Sequence, residues 1–138
     1  MIEFTLALLV LVLVFLGAWQ FGYAFYLYGE LDQAVRAGAR YAALQTYNSA
    51  NATPTAAFKS AVQKIVVYGD PAPALGANAI ISGLTTDNVS LKVTFANSIP
   101  TSVSVEITNF QISALFNTVT LSDKPVSQFP YMGTFGPP

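Results

Sequence analysis

From Phe4 to Gly29 the chain carries no charged side chain. Wound as a helix at about 1.5 Å per residue, that run reaches about 39 Å, enough to cross a hydrocarbon core of roughly 30 Å with some tilt. A secretory signal peptide has a shorter apolar core behind a basic front, and often a small-residue cut after it. None of these is present here, and the charge in front of the run is an acid, Glu3.

The helix is not expected to stop at Gly29. From Leu31 the stretch LDQAVRAGARYAALQTY is amphipathic, free of proline and rich in good helix formers. Asp32 and Arg36 are spaced i,i+4, as are Arg36 and Arg40, and the first pair has the geometry of a weak helical ion pair. One helix from Ile2 to about Tyr47 is predicted, ended by the polar NSANAT. That is far beyond the ordinary globular length. Its first half must therefore be covered by something other than its own domain.

Composition narrows the function classes. Charged residues make up 9% and hydrophobic ones 53%, against roughly 25% charge in a usual soluble chain. The net charge is −1, and of the six basic residues only Arg36 and Arg40 sit close together. Nucleic acid is thus not an expected partner, since phosphates call for clustered Lys and Arg. There is no Cys and no His, which removes disulfides, thiolate sites, and the commonest general base and metal ligand. The acids Glu3, Glu30, Asp32, Asp70, Asp87, Glu106 and Asp123 form no metal-like cluster in sequence. There is no G-x-S-x-G elbow and no phosphate loop. No catalytic, cofactor or metal site is expected, and the chain does not read as an enzyme.

Residues 48–138 read as a small α+β head, following the long helix of residues 1–47 and packed on its rear half. Thr53-Pro54 is taken as an N-cap with a first-turn proline. Phe58, Ala61, Val62, Ile65 and Val66 recur at helical spacing over residues 54–67. Gly69-Asp70-Pro71 stops that helix, and residues 71–79 form a loop. Then the period becomes two: Val89, Leu91, Val93 and Phe95; Val103, Val105 and Ile107; Phe110, Ile112 and Ala114; and a shorter Val119 and Leu121. Three or four strands of an antiparallel meander are predicted, with one buried face and a turn at Asn97–Pro100. The tail PVSQFPYMGTFGPP is expected to be irregular and to lie over the sheet.

Three features are candidates for recognition. Ala34, Gly38 and Ala42 share one helix stripe, as do Ala18 and Gly22, and small residues admit a second backbone. For the rear stripe two readings stay open, packing on its own head or between subunits. For Ala18 and Gly22 the contact is expected between subunits, since the head is not expected to reach so far. The stretch WQFGYAFYLY, residues 19–28, holds six aromatics in ten positions. It fits a membrane-interface belt, packing between subunits, or a stacked path for electrons, though no haem motif accompanies it. Asn51-Ala-Thr53 and Asn88-Val-Ser90 are possible glycosylation sequons.

The ordered series of Ile2-Glu3-Phe4, the apolar run, Phe21-Gly22, Leu31 and AVRAGARYAA from Ala34 to Ala43 resembles the TadE/TadG-like pilins. These are type IV pilin-related proteins of the tight-adherence machinery. The resemblance covers residues 2–44 and is looser beyond. It places the acid of the processing region at Glu3 and the G-A-R-Y element at Gly38, Ala39, Arg40 and Tyr41. Two departures stand out: Tyr23 follows Phe21-Gly22 where the family commonly has a basic residue, and the acid is third, whereas in type IV pilins it is fifth after the cut. Either Met1 is the end left by processing or no leader was present. The resemblance implies a pilin-like fold and a structural subunit of an extracellular type IV-like pilus. The chain would be membrane-inserted before assembly and would polymerise with identical copies. Prepilin peptidase and the pilus assembly machinery are the implied partners. Assembly would involve Met1, Glu3, Ala18, Gly22, Ala34, Gly38, Arg40 and Ala42. Glu3 would act as a register mark facing a free N-terminal ammonium; the plainer reading is a first-turn acid favoured by the helix dipole. The alternative function is a single-pass membrane-anchored protein or minor pseudopilin whose head binds a partner.

Overall fold

The computed structural model describes residues 2–113 and 118–137. Met1 and Ala114 therefore lie outside the described residues. The first element, α1, runs unbroken through its glycines from Ile2 to Leu44, a length of about 64 Å at helical rise. Asp32 and Arg36 form the expected ion pair at 2.8 Å. Exposed as it is, such a pair contributes only about 0.3–0.5 kcal/mol.

The predicted end at Tyr47 is three residues too late, and the cause is distant in sequence. In a continuing helix the Tyr47 N–H would donate to the Ala43 carbonyl. Instead Ala43 O accepts from Met132 N at 2.9 Å, and Tyr47 N donates to Thr134 O at 2.9 Å. The chain's tail thus replaces the helix's next turn and satisfies carbonyls that a helix end leaves open.

The second helix, α2, spans Ala56–Tyr68. Its N-cap is Thr55, whose hydroxyl accepts from Phe58 N at 3.4 Å, and not Thr53. Thr53 is held in a separate turn, where its N–H donates to Asn51 Oδ1 at 2.9 Å. Pro54 disfavours helical geometry for the residue before it, so the helix begins after it. Gly69 closes α2 in the left-handed region, φ 75°, with its N–H on Ile65 O, a conformation that glycine adopts at little cost. Phe58, Val62, Val66 and Val67 turn inward.

A 3-10 turn at Thr86–Asn88 leads into β1 (Val89–Ala96), β2 (Ile99–Ile107), β3 (Phe110–Ser113), β4 (Thr118–Leu121) and β5 (Val126–Pro130). The alternations through β1 and β2 are as predicted, and Val89, Leu91, Val93, Val103, Val105 and Ile107 are buried. The turn between them is narrower than expected. Asn97 and Ser98, both at positive φ, make a two-residue hairpin turn. Pro100 already lies in β2, at a bulge where its missing N–H matters least.

The predicted single meander divides in two. One antiparallel sheet has the order β1-β2-β5, and β3-β4 form a separate hairpin. Asn109 takes a positive φ of 54° and turns the chain out of the first sheet. The tail is not irregular throughout: β5 returns to pair with β2, Ser102 opposite Pro130 and Glu106 opposite Val126. The rear of α1 packs on β2 and β5, while α2 lies beside it against β1. Leu31, Val35, Ala39, Val62, Val66, Val103 and Val105 close the core between these layers.

Candidate assembly surface

The head covers only the rear of α1. Buried residues on the helix begin at Leu31. Ahead of that point lies an apolar window of mean hydropathy 2.4, none of it buried. Among the described residues α1 is the one helix long and apolar enough to cross a membrane. Glu3 stands in its first turn, exposed. Ala18 and Gly22 are exposed and, with Trp19 and Tyr23, line a shallow concavity. A methyl group added at Gly22 would meet nothing within 4 Å.

The rear stripe behaves differently, which corrects its place among the assembly residues. Ala34, Gly38 and Ala42 are buried within their own subunit. A Cβ on Gly38 would run into the Val66 side chain. Gly38 is therefore what lets α2 approach α1, and this stripe is not free to meet a second subunit. Arg40, on the opposite side, is exposed.

Nor does the head stop short of the aromatic run. Ile112, Val119 and Leu121 of the β3-β4 hairpin face Phe21, Ala24, Phe25 and Tyr28 across an apolar groove of about 280 Å³. The head thus reaches nearly to Gly22, although Trp19, Phe21 and Phe25 stay at least two-thirds exposed.

Gln20 was not singled out by sequence reasoning. Its Oε1 is buried and accepts no hydrogen bond. The readable signal was an amide standing alone among apolar side chains.

The two sequons differ in availability. Asn51 is exposed, its Oδ1 accepting from Thr53 N and Ser49 Oγ. Asn88 is half-buried, and its amide nitrogen donates to Thr108 O at 3.1 Å and Asn109 O at 3.3 Å. A glycan on that nitrogen would disturb the staple that holds the end of β2 to the 3-10 turn.

The clasp at the end of α1 was also missed. Tyr47 is fully buried and contacts the rings of Phe58, Phe95, Tyr131 and Phe135. The Tyr131 hydroxyl lies 2.7 Å from Gln45 O and 2.8 Å from Thr134 O, and accepts from Tyr47 N at 2.9 Å. Burial pushes both phenols above their ordinary value. Lys92 is also raised, by its hydrogen bond to Glu106 and then by that carboxylate's charge. The signs agree. Unfolded tyrosine ionises first as pH passes about 10, drawing the equilibrium toward the unfolded chain. The Lys92 contribution is present below the ordinary lysine value and lost as pH rises through its folded one. The melting temperature of the head is therefore expected to stay level from pH 7 to about 9 and fall above about 10. Calorimetry across that range checks it, and Tyr131→Phe should flatten the fall; a level profile up to pH 11 would contradict it.

With the geometry in place, the family comparison falls on α1. Residues 1–40 match the family model described as TadE-like protein. Over those residues the chain is similar to TadE-like proteins of the tight-adherence pilus family. No curated protein and no solved structure matches it. The TadE-like match takes in the uncovered apolar part of α1, Glu3, Gln20 and Gly38, and ends at Arg40, inside the helix. The head lies outside that match and is described by its own structure alone.

Proposed function

We propose that this chain is a structural subunit of an extracellular type IV-like pilus, polymerising through α1 with its heads outside. The observation that supports this most is the division of α1, whose rear is covered by its own head and whose apolar front holds no buried residue ahead of Leu31. Lipid covers that front before assembly, and the same segment of other copies covers it afterwards. Lipid tails are as apolar as neighbouring helices, so the transfer gains little from hydrophobicity, and close packing and polar pairing decide it. Ala18 and Gly22 offer a place for close approach. Gln20 offers an amide, worth about 1 kcal/mol in an interhelical hydrogen bond. Glu3 sets the register where its carboxylate meets an N-terminal ammonium. Repeated in a heterologous contact that does not close, such subunits give a helical filament. The partners are then identical copies, the membrane before assembly, prepilin peptidase and the assembly machinery. The role is structural and needs no catalysis.

Glu3→Ala and Glu3→Gln test the register. Leaving one member of a desolvated pair alone is worth about 3–5 kcal/mol, so both variants are expected to leave few or no filaments by electron microscopy. Normal counts from both would sink the role of Glu3. Intact wild-type chain recovered only from detergent-extracted membrane, never from sheared surface filaments, would favour a membrane-anchored or minor pseudopilin role with a partner-binding head.

A further inference from the structure

One edge of the three-stranded sheet is open, and its chemistry is specific. β1 ends the order β1-β2-β5, and among the described residues no strand pairs with its outer side. Which main-chain groups face outward follows from the ladder. Ile107 N donates to Pro125 O, and Tyr131 N donates to Thr101 O. Odd-numbered residues of β2 therefore turn their amides toward β5, and even-numbered ones toward β1. Glu106, Ser104 and Ser102 face Ser90, Lys92 and Thr94, so Val89, Leu91 and Val93 point their amides away from the sheet.

Val89 is already served, its carbonyl by Gln63 Nε2 at 3.0 Å and its N–H by Thr86 O. Leu91 and Val93 are not: the N–H and C=O of each face a groove of about 640 Å³. Its walls are β1 itself, Thr53 and Pro54, and Lys59 and Gln63 of α2. The Leu91 and Val93 side chains are buried in the core, so at these residues the groove presents backbone. Four unpaired main-chain groups beside a cleft form a template for one more strand.

Lys59, which makes no ion pair among the described residues, is the cation that marks the occupant. Lys59 and Lys92 line it against one acid, Asp87. Lys92 Nζ uses one side on Glu106 Oε1 at 2.6 Å while its side chain stays 66% exposed, leaving donors for a second carboxylate. We propose that the β1 edge is a docking site for an extended, acidic peptide segment of a partner protein, which adds as a strand beside Leu91 and Val93 and places a carboxylate between Lys59 and Lys92. This reading does not depend on whether the chain polymerises.

The test uses the full chain in detergent micelles with fluorescein-labelled short peptides that alternate valine with glutamate. Anisotropy is expected to report binding, with slowed amide exchange at Leu91 and Val93. A valine–lysine counterpart should bind at least about tenfold more weakly, and a glutamate peptide methylated on every amide nitrogen should not bind. Lys59→Glu, at an exposed position that leaves the core intact, should weaken the glutamate peptide by about tenfold, the scale of one charge-assisted contact. The proposal is overturned if no peptide binds at millimolar concentration, or if the methylated or lysine peptide binds equally well. Protection appearing elsewhere than on β1, or a Lys59→Glu chain that binds normally, would also overturn it.

Discussion

A Tyr47→Ala chain is expected to lose about 3–5 kcal/mol of head stability, the range for removing a fully buried aromatic ring. Small domains have only about 5–15 kcal/mol in total, and a head of this size lies toward the lower end, so much of the population should be unfolded. The reason is local crowding of function. The Tyr47 ring stands at 0% exposure among four other rings, including Phe58 on α2 and Phe95 on β1. Its hydroxyl donates to Asn51 O at 2.8 Å, holding the turn that leads to α2. Its N–H is shared by Thr134 O and the Tyr131 hydroxyl. One side chain therefore joins the end of α1, the start of α2, the sheet and the tail. Tyr47→Phe keeps the ring and removes a single hydrogen bond, so its loss should be about 1 kcal/mol. Urea unfolding of the full chain in micelles, followed by near-UV circular dichroism, separates the two. A Tyr47→Ala midpoint equal to wild type would mean that the clasp does not hold the head together.

The same residue marks where local reading stops. The span and the amphipathic rear of α1 are legible because every residue from Phe4 to Tyr47 fits one helical pattern without proline. The end of that helix is not legible, since it is decided by Tyr131, Met132 and Thr134, far along the chain. β1 and β2 announce themselves by strict alternation over a buried face. β5 does not: VSQFP follows Pro125, ends in Pro130 and reads as broken chain. Yet Pro130 ends the strand, where a missing N–H does little harm, and the pairing rests on β2's free side. Thr53 before Pro54 reads as the cap of α2, but the turn built on Asn51 holds Thr53 and leaves the cap to Thr55. At the assembly surface, Glu3 and the small residues are visible as letters. Which small stripe the subunit uses for itself is visible only after folding.

That last distinction yields the sharpest comparison, because Gly22 and Gly38 lie on one helix and share one residue type. Gly38→Leu is expected to destabilise the head by about 3 kcal/mol, near the upper range for overpacking a close-packed contact. The first added carbon already meets Val66, which is stiff at χ1 and backed by buried Val62 and Val67. Helix propensity returns less than about 1 kcal/mol of this. Gly38→Ala paired with Val66→Ala should recover part of the loss seen in Gly38→Ala alone, since the two positions share one contact and their effects couple. Gly22→Leu should do the reverse. Nothing lies within 4 Å of its Cβ position, so the subunit is expected to be as stable as wild type or slightly more so. Its added bulk fills the concavity beside Ala18 where a second backbone would approach. Filament yield should therefore drop for Gly22→Leu while urea unfolding of the head is unchanged, and Gly38→Leu should reduce both. If Gly22→Leu assembles normally, close packing of α1 at that level is not what joins the subunits, and the contact must be sought toward Glu3 or on the heads.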